Sequence, residues 1–300
     1  MINIRYKTTA FSGGGKPYVP PITGNYIQYI SSSPLNEQWV AQNCKSNSWS
    51  ASSGRGLMIL KDGVTSISQA SSPFTNNSGL TSIDMSNSGL TEIGNGAFHR
   101  STNIEEINFP STMEQLLTGA FDNKRNLVSI TVPDDNQYFN DYGCDVVVNN
   151  LGQIVIGCSA SVIPAQASSI GPRAFEGASM ETFSIPGNIN VISSDAFKDC
   201  SQMETLTINS GINYIMDGAF SGNSSLERVT CFSEVPPTLG ENNFSAIYDD
   251  VLYVPGTSLQ AYRSDPAWSA AFSQILPIGE ETFEVSATAS PDEGGYFILT

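Results

Sequence analysis

Three glutamates recur at one phase of the chain. Glu181, Glu204 and Glu227 each follow the Met or Leu that opens a similar phrase: Met180-Glu-Thr-Phe183, Met203-Glu-Thr-Leu206 and Leu226-Glu-Arg-Val229. If those phrases are strands lying side by side, their glutamates stand about 4.8 Å apart. Such a column can hold a cation or face a basic partner, with Arg228 relieving the repulsion; it can equally be a solvated stripe. A second oxygen-rich group is Asp134, Asp135, Asn136, Asp141 and Asp145. These are the hard donors that calcium takes, although their spacing does not match the helix-loop-helix calcium loop. Tyr138, Phe139 and Tyr142 lie in the same stretch. On a projecting loop they are anchors for a protein or glycan ligand; the other reading packs them against a neighbouring hairpin.

Chemistry beyond binding finds little support. A nucleophilic triad needs a base beside a Ser or Cys, and the single histidine, His99, follows Phe98 on a turn with no fixed acid near it. Glu105 and Glu106 are adjacent on one strand and face opposite sides. Gly94-x-Gly96 belongs to a turn, where glycine serves the backbone rather than a phosphate. We expect a protein that is not an enzyme and carries no cofactor, with calcium kept as an option. The five cysteines, Cys44, Cys144, Cys158, Cys200 and Cys231, form no C-x-x-C pair, which argues against zinc. Cys144 and Cys158 could meet across a hairpin.

What positions these residues is a repeat. Gly96-Ala97-Phe98, Gly119-Ala120-Phe121, Arg173-Ala174-Phe175, Asp195-Ala196-Phe197 and Gly218-Ala219-Phe220 share one turn, with Phe74 and Phe244 in phase at the ends. Five residues before the Phe stands an apolar residue: Ile93, Leu116, Ile170, Ile192, Ile215 or Leu239. Units open with apolar-x-x-apolar-x-apolar, as in Ile104-Glu-Glu-Ile107-Asn-Phe109 and Leu127-Val-Ser-Ile130-Thr-Val132. Their openers Leu80, Ile104, Leu127, Met180, Met203 and Leu226 step by about 23 residues, except for one step of 53. Alternation sends Ile107 and Phe109 to one face of a short strand and Glu106 and Asn108 to the other. No single unit can bury its own apolar side, but stacked units build one continuous core. The fold class is therefore a leucine-rich-repeat solenoid of short parallel strands and tight helical turns, capped at its ends. Its outward column reads Asp84, Asn108, Thr131, Ser184, Thr207, Thr230, Tyr253.

The phrases Ile170-Gly171-Pro172-Arg173-Ala174-Phe175 and Ile93-Gly94-Asn95-Gly96-Ala97-Phe98 make the chain similar to BspA-like leucine-rich repeats over roughly residues 57 to 278. Cys200 falls where that family often has cysteine, with Ser101, Lys124, Ala178 and Asn223 at the equivalent places. The segment from Leu252-Tyr253-Val254-Pro255 through Tyr262 to Trp268 looks like the family's closing unit. The resemblance implies a right-handed solenoid exposed on a bacterial surface and used in adhesion or ligand binding.

Around the repeats we expect an N-terminal cap over residues 1–56 and a solenoid over 57–278. The solenoid carries an insertion at 134–160, a hairpin turning at Asn149–Gly152 that projects from one side of the coil. A tail at 279–300 reads as a strand from Thr282 to Ala289, a turn and a second strand; it is either the start of a further domain or an assembly strand through which the chain self-associates. Net charge is −16, which repels phosphate and makes nucleic acid and anionic membranes poor partners. No apolar run approaches a membrane span, and the start at Met1 shows no h-region of a signal peptide. The leading functional expectation is an extracellular or cell-surface binding or adhesion module. Its partner would be a protein or glycan on a host or neighbouring cell. A virion fibre or decoration component and an auxiliary module of a larger secreted protein remain alternatives.

Overall fold

Each repeat makes one coil with two strands, and the coils stack so that equivalent strands pair in parallel. A computed structural model describes residues 24–279, except 69–71, 122–123, 246 and 248–249. The Gly13–Gly15 and Pro17–Pro21 stretches and the expected strands after Gly279 lie outside the described residues. Before the first coil come β1 (Tyr26–Ser31), α1 (Glu37–Asn43), β2 (Cys44–Trp49) and β3 (Arg55–Leu60). The first stack holds β4 (Ser66–Ile67), β5 (Leu80–Asp84), β6 (Glu92–Ile93), β7 (Glu106–Asn108), β8 (Gln115–Leu116) and β9 (Ser129–Thr131). The insertion gives β10 (Phe139–Asn140), β11 (Val146–Asn149) and β12 (Gln153–Gly157). The second stack follows with β13 (Ser169–Ile170), β14 (Thr182–Ile185), β15 (Val191–Ile192), β16 (Thr205–Ile208) and β17 (Tyr214–Ile215). It continues with β18 (Arg228–Cys231), β19 (Thr238–Leu239) and β20 (Val251–Val254), and closes with α2 (Leu259–Ser264), α3 (Pro266–Ala271) and β21 (Gln274–Pro277).

The strands that open the units form the main sheet of each stack. In the first stack its order is β2-β3-β1-β5-β7-β9, and in the second β14-β16-β18-β20-β21. The two-residue strands before each Ala-Phe turn form side sheets, β4-β6-β8 and β10-β11-β12-β13-β15-β17-β19. Register is one coil per step: Phe183 beside Leu206 beside Val229, and Ile107 beside Ile130.

The Ala-Phe turn explains itself in this geometry. Its alanines, Ala97, Ala120, Ala174, Ala196 and Ala219, have no exposed surface, so a larger side chain would push the coils apart. The phenylalanine amide donates to the alanine carbonyl of the next coil, as from Phe175 to Ala196 (2.8 Å) and Phe197 to Ala219 (2.7 Å). The rings stack along the axis: Phe74, Phe98 and Phe121 in the first stack, and Phe175, Phe197, Phe220 and Phe244 in the second, at 4.5 to 5.7 Å between neighbouring centroids. Each buried ring contributes about 1.5–3 kcal/mol. The residue before the alanine sits in the left-handed region in Gly96, Arg173, Asp195 and Gly218 (φ 57–67°). Gly and Asp tolerate that region best, hence their recurrence. At the cysteine-like position, Ser101 donates to the Phe74 carbonyl and Cys200 to the Phe175 carbonyl (3.0 Å), one coil back.

Both ends are closed. β1 runs antiparallel to β5 and covers the first main-sheet edge. The covering sheet continues through β3 to Leu60, past the expected boundary at residue 56, because β1 needs β3 as its other neighbour. At the far end Tyr262 and Trp268, from α2 and α3, are buried over the last coil, and Trp268 Nε1 donates to the Pro237 carbonyl (2.8 Å).

The insertion departs from expectation. It does not project from the coil; β11 and β12 form a wall across the solenoid. Val146, Val148 and Ile154 belong to the core of the second stack, whereas Val147, Val155, Ile156 and Cys158 belong to that of the first. Alternation supplies this two-sidedness. A β-bulge helps: Val147 faces Ile156 but Val148 faces Ile154, so Val155 is extra. Gly157 is required where the wall meets the second aromatic column, since a Cβ there would stand 2.1 Å from the Phe175 ring.

Candidate binding surface

The main sheet of the second stack carries the glutamate column. The Glu204 amide donates to the Glu181 carbonyl (2.8 Å) and the Glu227 amide to the Glu204 carbonyl (2.9 Å), so the three residues stand one per coil in a single file. All three are exposed. The file has a fourth member that the sequence reading missed. Register β18 to β20 sets Asp250 one coil beyond Glu227, and Asp250 is exposed too. Its opener is not a Met or Leu but sits among Asp249-Asp250-Val251-Leu252, which hides the phase; the Leu252-Tyr253-Val254 alternation was the signal available. In the first stack the same file reads Thr81, Glu105, Val128, so the acidic column is a property of the second stack alone.

Beside the column runs the outward face of β14, β16, β18 and β20. Thr182 stands beside Thr205 and Arg228; Ser184 stands beside Thr207, Thr230 and Tyr253. The Arg228 guanidinium lies over the Tyr253 ring at 4.3 Å, a cation–π contact that holds the arginine flat against the sheet. This leaves a hydroxyl-rich face with a carboxylate file along one border.

The aromatic group of the insertion is divided. Tyr138 and Tyr142 are each 43% exposed, but Phe139 is 7% exposed and packs in the first core. Phe139 is therefore corrected from a surface anchor to a core residue: it lies on β10, which pairs with β11, and alternation turns it inward. Tyr138 follows the buried Asn136, while Tyr142 occupies a left-handed turn (φ 51°) between Asp141 and Gly143.

The oxygen-rich group that suggested calcium is engaged otherwise. In β9 the amides of Ser129 and Thr131 lie on the β7 side, so those of Ile130 and Val132 face the open edge. Asp145 Oδ1 accepts from Ile130 N (3.1 Å) and Asp141 Oδ2 from Val132 N (2.9 Å). Asp141 Oδ1 also accepts from Gly143 N (2.7 Å). Asn136 is buried; it donates to the Pro110 and Met113 carbonyls and accepts from the Tyr138 and Phe139 amides. Asp134 and Asp135 take no part in a metal-ligating cluster, and among the described residues no group of three His, Cys, Asp or Glu side chains is placed to hold a metal ion. The Asp141 and Asp145 carboxylates thus cap a strand edge.

The cysteines are free thiols. The Cys144–Cys158 bridge considered from sequence is corrected: Cys158 is buried in the first core, whereas Cys144 packs against the second, on the opposite side of the wall. Burial pushes the Cys200 thiol up to about 12 and the Cys44 thiol up to about 11. His99 lies on a turn; its carbonyl accepts from Asn76 N (2.8 Å). No helix among the described residues is long and apolar enough to cross a membrane.

Comparison with known proteins follows the same lines. The chain is similar to a leucine-rich-repeat protein of Eubacterium ventriosum (14% identity, TM-score 0.42, covering 63% of this chain and 53% of that one). It is similar also to a leucine-rich cell surface protein of Faecalibacterium prausnitzii (16% identity, TM-score 0.43, covering 64% and 58%). The pneumococcal vaccine antigen PcpA aligns at 13% identity and TM-score 0.42, covering 74% and 73%. The chain spans little more than half the length of the first two. No curated protein matches it. The model of the BspA-type leucine-rich-repeat region matches in six copies over residues 42–145 and 155–250, leaving out β11, its turn and the start of β12, and the chain belongs to that family.

Proposed function

We propose that this chain is a non-enzymatic binding or adhesion module, displayed outside a bacterial cell, that presents the second stack to a protein or glycan ligand. Membership of a leucine-rich-repeat family supports it, because such solenoids are usually binding scaffolds whose stacked coils form extended surfaces. The observation that carries the reading is the in-register file Glu181, Glu204, Glu227 and Asp250 beside a hydroxyl-rich sheet face that is open at Thr182, Ser184, Thr205 and Thr207 and covered at Thr230 and Tyr253. Each acidic residue immediately precedes a main-sheet strand, so the stacked coils set the spacing of their backbones before any ligand arrives. Exposed carboxylates attract a cationic surface over about one Debye length, which raises the association rate more than the affinity. Tyr138 and Tyr142 are further contact candidates at the wall.

The test is adhesion of labelled chain to host-type cells and to glycan- and protein-coated surfaces. Glu181→Lys, Glu204→Lys and Glu227→Lys together should slow association and lower the bound signal at least about threefold, while leaving the unfolding free energy within about 0.5 kcal/mol, since the side chains are solvent-exposed. Tyr138→Ala with Tyr142→Ala tests the wall separately. Binding untouched by either set would remove the second-stack face and the wall from the functional account.

A further inference from the structure

The last coils carry an apolar rim that the earlier ones lack. Residues just after the main-sheet strands stand one above another. The file reads Pro186, Asn209, Phe232, Pro255 and Ile278, because Ile185 lies beside Ile208 and Cys231, and Val254 beside Pro277. Phe232 is 40% exposed and Ile278 is 37% exposed, with Pro255 between them; Val235, in the same turn as Phe232, is 77% exposed. Three adjacent strands place Phe232 and Ile278 about 10 Å apart. The result is a continuous apolar edge at the end of the chain's described part.

We propose that this rim is the seat of the chain's own segment Thr282–Ala289. The segment has one apolar side: Phe283, Val285, Ala287 and Ala289 alternate with Thr282, Glu284, Ser286 and Thr288. It begins beside the rim, since Ile278 belongs to the rim itself. Five residues from Ile278 to Phe283 span at most about 17 Å, enough to reach Phe232.

The other obvious place for this strand is shut. In β21 the Ile275 and Pro277 positions face the outer sheet edge, since Gln274 N and Ile278 N donate to β20-side carbonyls of Asp250 and Val254. Pro277 has no amide hydrogen, and the Ile275 carbonyl is taken by Arg263 Nε (3.1 Å) and Nη2 (2.7 Å). An edge so blunted does not template another strand. Gly279 then adopts φ 96° with nothing within 4 Å of where a Cβ would stand, so glycine serves there to turn the chain rather than to relieve crowding. Charge does not drive the seating: residues 280 to 300 carry Glu280, Glu281, Glu284, Asp292 and Glu293 and no Lys or Arg, and the rim holds the exposed Glu234, so the apolar side of the segment has to supply the contact. The carboxylate file lies at the opposite end of the strands, five residues from the rim, which is about 16 Å.

Hydrogen exchange of the full chain, read by mass spectrometry, tests the seat. Amides of 283–287 should exchange more slowly than in a free peptide of the same sequence. Phe232→Ser and Phe283→Ser should each speed them at least about threefold, and the double variant no further, because the two side chains share one contact. Amides of β16 report that the solenoid stays folded; if Phe232→Ser disturbs them, Ile278→Ser takes its place. Tail amides exchanging at the free-peptide rate, or indifferent to the rim substitutions, would overturn the proposal. Protection that falls on dilution would also overturn it, because the seat would then hold the tail of a second copy.

Discussion

Replacing Asp145 with alanine separates two accounts of the acidic insertion. As an edge cap, Asp145 Oδ1 satisfies the amide of Ile130 at 3.1 Å, and Ile130 is buried. Its loss strands a buried donor that had a charge-assisted bond, a cost of about 1.5–3 kcal/mol. Asp141→Ala removes the partner of Val132 N and of Gly143 N, at a similar cost or more. Added independently, the two give about 3–6 kcal/mol; the measured pair should fall short, because both serve one strand edge. Asp145→Asn keeps an acceptor oxygen and should cost less than alanine. The assay is urea unfolding, once with millimolar calcium and once with EDTA. A cap gives the same loss in both. A calcium site would instead stabilise the unaltered chain by linkage, in proportion to the logarithm of free calcium, and the variants would lose that gain. The cap reasoning is refuted if Asp145→Ala costs under about 0.5 kcal/mol, or if calcium shifts the unaltered chain by more than about 1 kcal/mol and leaves the variant unmoved.

Three further outcomes follow from packing and titration. Phe197→Ala opens the aromatic column between Phe175 (4.8 Å) and Phe220 (5.2 Å) and should lower unfolding stability by about 3–5 kcal/mol in a denaturant titration. Burial raises the Glu176 carboxyl pKa against the opposing charges of Lys124, Arg173 and Lys198, and Glu176 Oε2 has no hydrogen-bond partner. A carboxyl raised in the fold contributes stability at pH below the ordinary value of about 4.3 and loses it as pH rises through the folded value. Glu176→Gln should therefore melt higher than the unaltered chain at pH 7, with the gap closing by about pH 4; a lower melting point at pH 7 would count against the burial argument. In native alkylation at mildly alkaline pH, the partly exposed Cys144 should be labelled first, ahead of Cys44 and Cys200, whose thiols burial holds up at about 11 and about 12. Recovery of a Cys144–Cys158 disulfide in the native protein would contradict the placement of those thiols on opposite sides of the wall.

The repeat was legible because it is periodic. Ile107 and Phe109, or Leu206 and Ile208, alternate as half-buried strands must, and the Ala-Phe turn recurs at fixed distance from them. The glutamate file was legible for the same reason, and Asp250 escaped because the unit around it loses its opener. The wall was legible only as a hairpin. Val146-Val147-Val148 and Ile154-Val155-Ile156 are unbroken apolar runs, and such runs belong to strands buried on both faces. Read that way they would have argued against a projecting loop, and with them Phe139 would have moved inward. The acidic cluster misled because Asp141 and Asp145 look alike as metal ligands and as acceptors for strand amides. Only the position of the β9 edge distinguishes them, and that edge exists because the insertion interrupts the stacking.

The wall also explains why the candidate surface belongs to one stack. A solenoid end exposes apolar side chains and strand edges, so each stack needs two closures. The first stack is closed at its start by β1, and the second at its finish by α2, α3 and Arg263. The wall supplies the remaining two at once: Val147, Val155 and Ile156 end the first core, and Val146, Val148 and Ile154 begin the second. The side sheet of the second stack begins in the wall and runs on through β12 and β13, whereas that of the first stack ends at β8; the main sheet likewise stops at β9 and restarts at β14. A main-sheet surface therefore cannot run the length of the molecule. The first stack can keep Thr81, Glu105 and Val128 where the second keeps Glu181, Glu204, Glu227 and Asp250, because no strand pairing joins those files across the break. The interruption gives the second stack a surface whose charge is set without regard to the first, while the shared hairpin ties the stability of the two cores together.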